Sequence, residues 1–439
     1  MQPYETTESS KNRSSLIFIA GLLAASIFAI SADGWTRLIL GANRSQHQNL
    51  TEATVSPVGP RELRETDRSA AAVAWRYFEY NTQPETGLVD SVAGFPSATL
   101  WDQGSYVFAL SAAHRLDLID DADFTSRVER FLSSLAKLPL YEGILPNKAY
   151  NTRTLQMVDY KNATSQDGVG WSALDVARLL AGFRVLERLH PEFGPNIRGI
   201  LSQWQLGAMV QKGELIGASR EGGATVYSQE GRIGYEQYAA RAAALWGLDV
   251  IRAISADRII RWETVSRVQV PVDLRNHGTF RAITPTLSEP YFLQGLELGL
   301  DSEATYMAAQ IYLAQEARFE RQNVPTMVSE DHINQAPYFL YSSVHSNGKP
   351  WAVVSEDGSF YNNLRSLSTK AVFAWDALYG RAYTQSLRES LTGLERHNGW
   401  AAGIYESDKA VNDVVTLNTN AVVLESVHYM ALGPLWQIK

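Results

Sequence analysis

Six segments of this chain are almost uncharged and rich in small residues, and each reads as a helix that is apolar on nearly every side. They run from Gly104 to Ala113, Ser172 to Leu186, Gln237 to Val250, Tyr291 to Leu300, Thr369 to Tyr379 and Thr419 to Met430. A helix without a polar face is buried on every side. These segments begin near Trp101, Trp171, Tyr235, Tyr291, Ser368 and Asn418, in steps of 70, 64, 56, 77 and 50 residues. Amphipathic helices alternate with them. Phe124, Val128, Phe131, Leu132 and Leu135 form one apolar stripe behind the N-cap candidate Asp123. Tyr383, Leu387, Leu391 and Leu394 form another, Asp301 is placed to cap a third helix, and Ala70 to Tyr80 supplies one more before the first buried helix. Six buried helices alternating with amphipathic ones predict six α-hairpins closed into a ring, an all-α (α/α)6 barrel with hardly any strands. An open solenoid would need a tighter repeat.

The N-terminus has a different character. Residues 16–32, LIFIAGLLAASIFAISA, are uncharged, follow Lys11 and Arg13, and precede Trp35. This pattern reads as a transmembrane anchor or a signal peptide, with an anchor favoured by the long preceding tail and the interfacial Trp. The expected organisation is a cytoplasmic tail over 1–15, the anchor or signal over 16–32, a polar tether over 33–69 and the barrel over 70–439. The barrel would then lie in a bacterial envelope, periplasmic and held to the inner membrane, or secreted if the segment is cleaved. The 439 residues contain no cysteine, which excludes disulfides, thiolate metal sites and a Cys nucleophile. With 39 Lys+Arg against 47 Asp+Glu, the net charge of −8 argues against nucleic acid as a partner. No His-x3-His pair, nucleophile elbow or phosphate loop is found, so no metal or cofactor is expected.

Several strings are more specific. Ala74-Trp-Arg-Tyr-Phe78, Thr86-Gly-Leu-Val-Asp-Ser91, Thr99-Leu-Trp-Asp102, Pro146-Asn-Lys-Ala-Tyr150 and Gly170-Trp-Ser-Ala-Leu-Asp175 resemble the bacterial domain of unknown function 3131 family. The resemblance covers about residues 70 to 435. It implies the (α/α)6 toroid shared by many glycoside hydrolases, and no settled activity.

In an α/α ring the buried helices begin at one mouth, so the loops leading into them converge. Here those loops pair an acid with an aromatic: Trp101 with Asp102, Asp167 with Trp171, Glu230 with Tyr235, and Glu289 with Tyr291. The second and third share a template of Ser-Gln, acid, Gly, two residues and an aromatic. Glycoside hydrolysis needs two carboxyls flanking the scissile bond, about 6.5–9.5 Å apart in inverting enzymes. It also needs ring faces to stack on sugars. Asp102, Asp167, Glu230 and Glu289 are therefore the catalytic candidates, with Glu230 as acid and Asp167 as base. Each could instead cap a helix. Trp101, Trp171, Tyr235 and Tyr291 are candidate stacking platforms, with packing as the alternative. Asn147, Lys148 and Tyr150, in a polar loop, and Asn418 are candidates for binding hydroxyls. Asp175 and Glu236 are expected to pair with Arg178 and a neighbouring helix. Glu297 and Glu425 read either as deep acids or as structural partners. The long excursion from Arg321 to Ser366 supplies Glu330 and Asp331 as reserve acids.

The reading that follows is an envelope-anchored glycoside hydrolase, inverting, acting on a bacterial poly- or oligosaccharide. Its rival is a non-catalytic glycan-binding or scaffold protein of an exopolysaccharide synthesis or export system, which would keep the aromatics and tolerate loss of the acids.

Overall fold

The computed structural model describes residues 55–275, 280 and 282–436. The expected tail, the membrane segment 16–32 and the tether up to residue 54 lie outside the described residues. No helix among those described is long and apolar enough to cross a membrane.

Eleven α-helices are described. Six form the inner ring: α2 (Leu100–Arg115), α4 (Ala173–Leu189), α6 (Tyr235–Ala244), α7 (Glu289–Leu293, continued by a π turn over Gln294–Leu298), α9 (Thr369–Tyr379) and α11 (Leu417–Leu432). Each packs on the next, and α11 packs back on α2, so the ring closes. Outer helices are α1 (Glu65–Asn81), α3 (Asp121–Leu135), α5 (Gly194–Leu201), α8 (Ser302–Gln322) and α10 (Ala382–Glu389). The link between α6 and α7 is built around a hairpin of Ile260–Val265 and Val268–Asp273, whose second strand packs on α8.

Local chemistry sets the helix starts. Thr99 and Asp102 form a capping box on α2, Ser172 accepts from the Asp175 amide on α4, and Thr416 accepts from the Thr419 amide on α11. Asp301 caps α8 as expected. The cap of α3 is Asp120, not Asp123, because Asp120 accepts from the Asp123 amide at 2.8 Å. Left-handed Asn323 and Gly380 end α8 and α9. Close packing of α2 on α4 depends on Gly104, where a Cβ would stand 2.9 Å from the Leu179 amide. One continuous apolar core joins the two layers around the ring.

Three expectations change. The chain is not all-α, since eighteen short strands are described. They sit mainly in connections between helices, including a hairpin at 214–229 and a three-stranded sheet inside the 321–366 excursion. Next, α6 stops at Ala244 rather than continuing to Val250. Finally, α1 starts at Glu65, and residues before it already lie on the ring. Val58 donates its amide to Leu378 O at 2.7 Å and Arg61 to Met430 O at 2.6 Å. Polar composition suggested a free tether there, but backbone pairing with the carbonyl ends of α9 and α11 holds these residues in place.

Candidate active site

The inner helices present their N-termini at one mouth, and Trp101, Trp171, Tyr235 and Tyr291 all occur at that rim. Their fates differ. Trp171 is fully buried, with its indole N–H on Ile216 O at 3.1 Å, and the Tyr291 hydroxyl points to the Met307 sulfur. Both are packing residues. Trp101 is half-buried and meets Tyr235 edge-on, with ring centroids 5.2 Å apart, so these two remain as mouth aromatics.

The four acids chosen by pattern also separate. Asp102 is consumed by its own helix cap, accepting from the Thr99 amide and hydroxyl at 3.1 and 2.7 Å and from Ser91. Asp167 is 70% exposed and pairs with Arg220 at 3.0 Å, so it is not a mouth acid. Glu230 is buried and caps α4, accepting from the Ser172 hydroxyl at 2.7 Å and the Ala173 amide at 2.5 Å. Gly217 makes the room it needs, because a Cβ there would lie 2.6 Å from Glu230 Oε2. Asp167 and Glu230 therefore do not form a facing pair. Glu289 does lie at the mouth, where it forms an ion pair with Lys370 and accepts from Asn418 Nδ2 at 2.7 Å.

The loop around Asn147 divides likewise. Asn147 is a staple, donating to Ala149 O and Val158 O and accepting from the Val169 amide. Tyr150 is buried and donates to Pro139 O at 2.7 Å. Neither is available to a ligand. Lys148 does reach the mouth, with Nζ 2.7 Å from the Ser219 hydroxyl. Burial lowers its pKa, although Glu230, Asp175 and Glu356 oppose the shift.

What gathers at the mouth is a different set. The 321–366 excursion lays the strand Glu330–His332 beside Lys370 of α9. Asp331 Oδ1 lies 3.6 Å from Lys370 Nζ, and Glu330 accepts from the Tyr235 hydroxyl and from Ser329 at 3.2 Å. Burial raises the Glu330 and Asp331 carboxyls to about 7, with Lys370 pulling each back. Asp175, one turn into α4, does not pair with Arg178 as expected. Its Oδ2 is buried with no hydrogen-bond partner. Burial, then Glu230 and Asp102, push its pKa well up. Glu356 completes the rim, raised by burial to about 8. Tyr341, the register partner of Glu330, is flanked by Glu356, Glu330 and Asp175, which ties the excursion to α4. Five buried oxygens here lack a partner by geometry: Asp175 Oδ2, Asp331 Oδ2, Glu356 Oε1, Asn418 Oδ1 and the hydroxyl of Ser368, which lies beside Asp331. Unmet buried acceptors are costly and mark places where a ligand can supply donors.

Lys370, Asp175, Glu356 and Tyr341 were missed as site residues. Lys370 carried a usable signal, being the lone cation of a buried helix and near its start, where burial demands anionic partners. Glu236, expected to pair with a neighbouring helix, pairs instead with Arg275 at 2.6 Å. Glu297 and Glu425 resolve as structural partners deep in the ring. Arg178 Nη1 lies 2.8 Å from Glu297 and Nη2 3.7 Å from Glu425. A cavity of about 640 Å³ lies at the opposite rim, between Pro60, Leu298–Asp301, Leu432–Pro434 and Trp436. Its one acid, Asp301, is already the α8 cap and the partner of Arg241.

Three solved structures are similar to this chain. A proposed glucoamylase from Bacteroides caccae has a TM-score of 0.61 at 13% identity, covering 85% of this chain and 94% of that one. An endo-β-1,2-glucanase from Chitinophaga pinensis, in complex with sophorotriose and glucose, scores 0.61 at 12% identity, with 85% and 94% covered. An endo-β-1,2-glucanase from Talaromyces funiculosus, in complex with sophorose, scores 0.56 at 12%, with 84% of each chain covered. At such identity the likeness is one of fold, the (α/α)6 toroid. No curated protein matches the sequence. A family model matches residues 69–433, nearly the whole described domain, and the chain belongs to that family, described as Protein of unknown function (DUF3131).

Proposed function

We propose that this protein is a glycoside hydrolase acting on a bacterial poly- or oligosaccharide. The observation that carries this reading is the group of buried carboxylates at the mouth of the ring with oxygens that no protein donor reaches. Sugar hydroxyls are such donors, and the half-buried Trp101 offers ring surface beside them. The fold shared with the endo-β-1,2-glucanases supports the same reading.

Two acids have contrasting surroundings, the arrangement that assigns an acid and a base. Asp175 is buried beside Glu230, so it stays protonated and serves as the proton donor to the leaving oxygen. Asp331 lies near Lys370, titrates at about 7, and serves as the base that activates water. Inversion remains the stereochemical expectation, read from the anomer first released.

The test is reducing-end release from a panel of bacterial glucans by wild type, Asp175→Asn and Asp331→Asn. Each amide is expected to cut turnover by about 10²–10⁴-fold. Full activity in both variants would remove the pair, and a wild type that binds a glycan but cleaves none would remove the hydrolase. We also place the domain in the periplasm, held to the inner membrane through residues 16–32, with exopolysaccharide machinery as a partner. Fractionation of cells with and without residues 1–35 tests that placement.

A further inference from the structure

The charges of the mouth say which glycans can enter it. Two buried lysines face six acids, Asp175, Glu230, Glu289, Glu330, Asp331 and Glu356. Both lysines are already engaged. Lys370 is paired with Glu289 and stands 3.6 Å from Asp331. Lys148 rests on Ser219, and Glu230, Asp175 and Glu356 surround it. The nearby Arg220 is left outside the mouth, where it meets Asp167 in solvent. Among the described atoms at the mouth, Asp331 Oδ2, Glu356 Oε1 and Asn418 Oδ1 are acceptors without partners, while the Ser368 hydroxyl lies beside Asp331 and Asp175 keeps its own proton. An incoming chain must therefore bring hydrogen-bond donors. A carboxylate, sulfate or phosphate on the sugar would bring more acceptors and a like charge into a poorly screened site.

We infer that the substrate is an electrically neutral glycan, and that the mouth rejects chains bearing anionic groups. This rests on the hydrolase reading above, whose substrate class it narrows. Discrimination of this kind comes from the unfavourable element facing the wrong ligand as much as from contacts with the right one.

The experiment uses matched pairs. Neutral β-1,2-, β-1,3- and β-1,4-gluco-oligosaccharides are compared with their C6-oxidised forms, in which CH2OH becomes carboxylate and the linkage is unchanged. Binding is measured by calorimetry and cleavage by reducing-end release, at about 20 mM salt and again at physiological strength. At least one neutral chain is expected to bind and be cut, with its oxidised partner at least about tenfold weaker and the gap narrowing as salt rises. Glu356→Gln, compared with wild type at pH 9, above the value of about 8 to which burial raises this carboxyl, removes one charge from the half-buried edge of the mouth and should narrow the gap at low salt. Oxidised chains that bind as tightly as neutral ones would overturn the inference while leaving the hydrolase intact. Neutral chains that bind but are not cut would break the hydrolase reading and leave the charge rule standing. Failure of every member to bind would remove both.

Discussion

The acids at the axis of the ring and most of the acids at its mouth are buried to a similar degree, yet they are neutralised differently. At the axis, Glu297 and Glu425 share one arginine. Arg178 is itself fixed by Ser105 at 2.9 Å, by the Tyr238 hydroxyl at 2.9 Å and by the face of Trp101. Burial and Glu297 push the Glu425 pKa well up, so one proton and one arginine serve the two carboxyls. At the mouth, six acids surround two lysines, and protonation makes up only part of the difference, with Glu330 and Asp331 at about 7 and Glu356 at about 8. The axis spends its charges on holding helices together. Glu425 also keeps two oxygens without a hydrogen-bond partner, but around the mouth such oxygens stand next to carboxyls that exchange protons near neutrality.

The largest expected effect tests that division. Arg178→Met strands two carboxyls inside the ring, and breaking a buried pair from one side costs about 3–5 kcal/mol. Urea unfolding should show that loss. Lys370→Met should cost less stability, because Glu330 and Asp331 at the mouth already titrate near neutrality and can take up a proton. Equal losses from the two variants would erase the distinction between axis and mouth.

Activity should respond in the opposite order of specificity. Lys370 lowers the pKa of Asp331, so its removal raises it, and a base must be ionised to work. In Lys370→Met the acidic limb of the kcat/KM profile is therefore expected to move to higher pH by about one unit. The single amide Glu330→Gln should leave that limb nearly in place if Asp331 is the base. A limb that stays put in Lys370→Met and moves in Glu330→Gln would transfer the role to Glu330.

Stability should also depend on pH. Glu330, Asp331, Glu356, Asp90 and Glu236 all have folded pKa values raised above those of free carboxyls, the last two to about 7. A raised carboxyl binds its proton more tightly in the folded state. Its contribution is complete below the unfolded pKa and is lost as pH rises through about 7 to 8. His332 and His428, both lowered to about 3 by burial, act the other way and weaken the fold as pH falls below their unfolded value. Five carboxyls against two histidines place the optimum on the mildly acidic side. The melting temperature at pH 6 should exceed that at pH 8.5, and a flat profile would mean that the mouth acids are ionised throughout.

Much of the ring was legible because its signal is local. A helix with no polar side must be buried, and a capping residue such as Asp301 marks its helix start within a few residues. The mouth was legible only as a place. Which acids face it depends on connections that fold back across the rim, as the 321–366 excursion does when it sets Asp331 beside Lys370, and local spacing carries no trace of that. Most of the short strands escaped notice for the same reason, since two- and three-residue pairings leave no periodicity to read.

The smallest expected effect isolates this lesson. Asp167 and Glu230 sit in loops that share one sequence template, yet the 214–229 hairpin separates their fates. It ends by turning Glu230 under the start of α4, with the Glu230 amide on Leu215 O at 2.9 Å. On its way it leaves Arg220 outside, where Asp167 meets it in solvent. Asp167→Asn should therefore change stability by no more than about 0.5 kcal/mol, in line with exposed ion pairs, and should leave turnover unchanged. Glu230→Gln keeps the shape but replaces one acceptor oxygen with an amide that faces the Ser172 hydroxyl or the Ala173 amide. Losing a charged cap costs about 1–2 kcal/mol, seen as a lower melting temperature. Its turnover should fall less than that of Asp175→Asn, because Glu230 acts on Asp175 only as a neighbouring charge. A Glu230→Gln enzyme as inactive as Asp175→Asn, yet as stable as wild type, would return Glu230 to the catalytic pair.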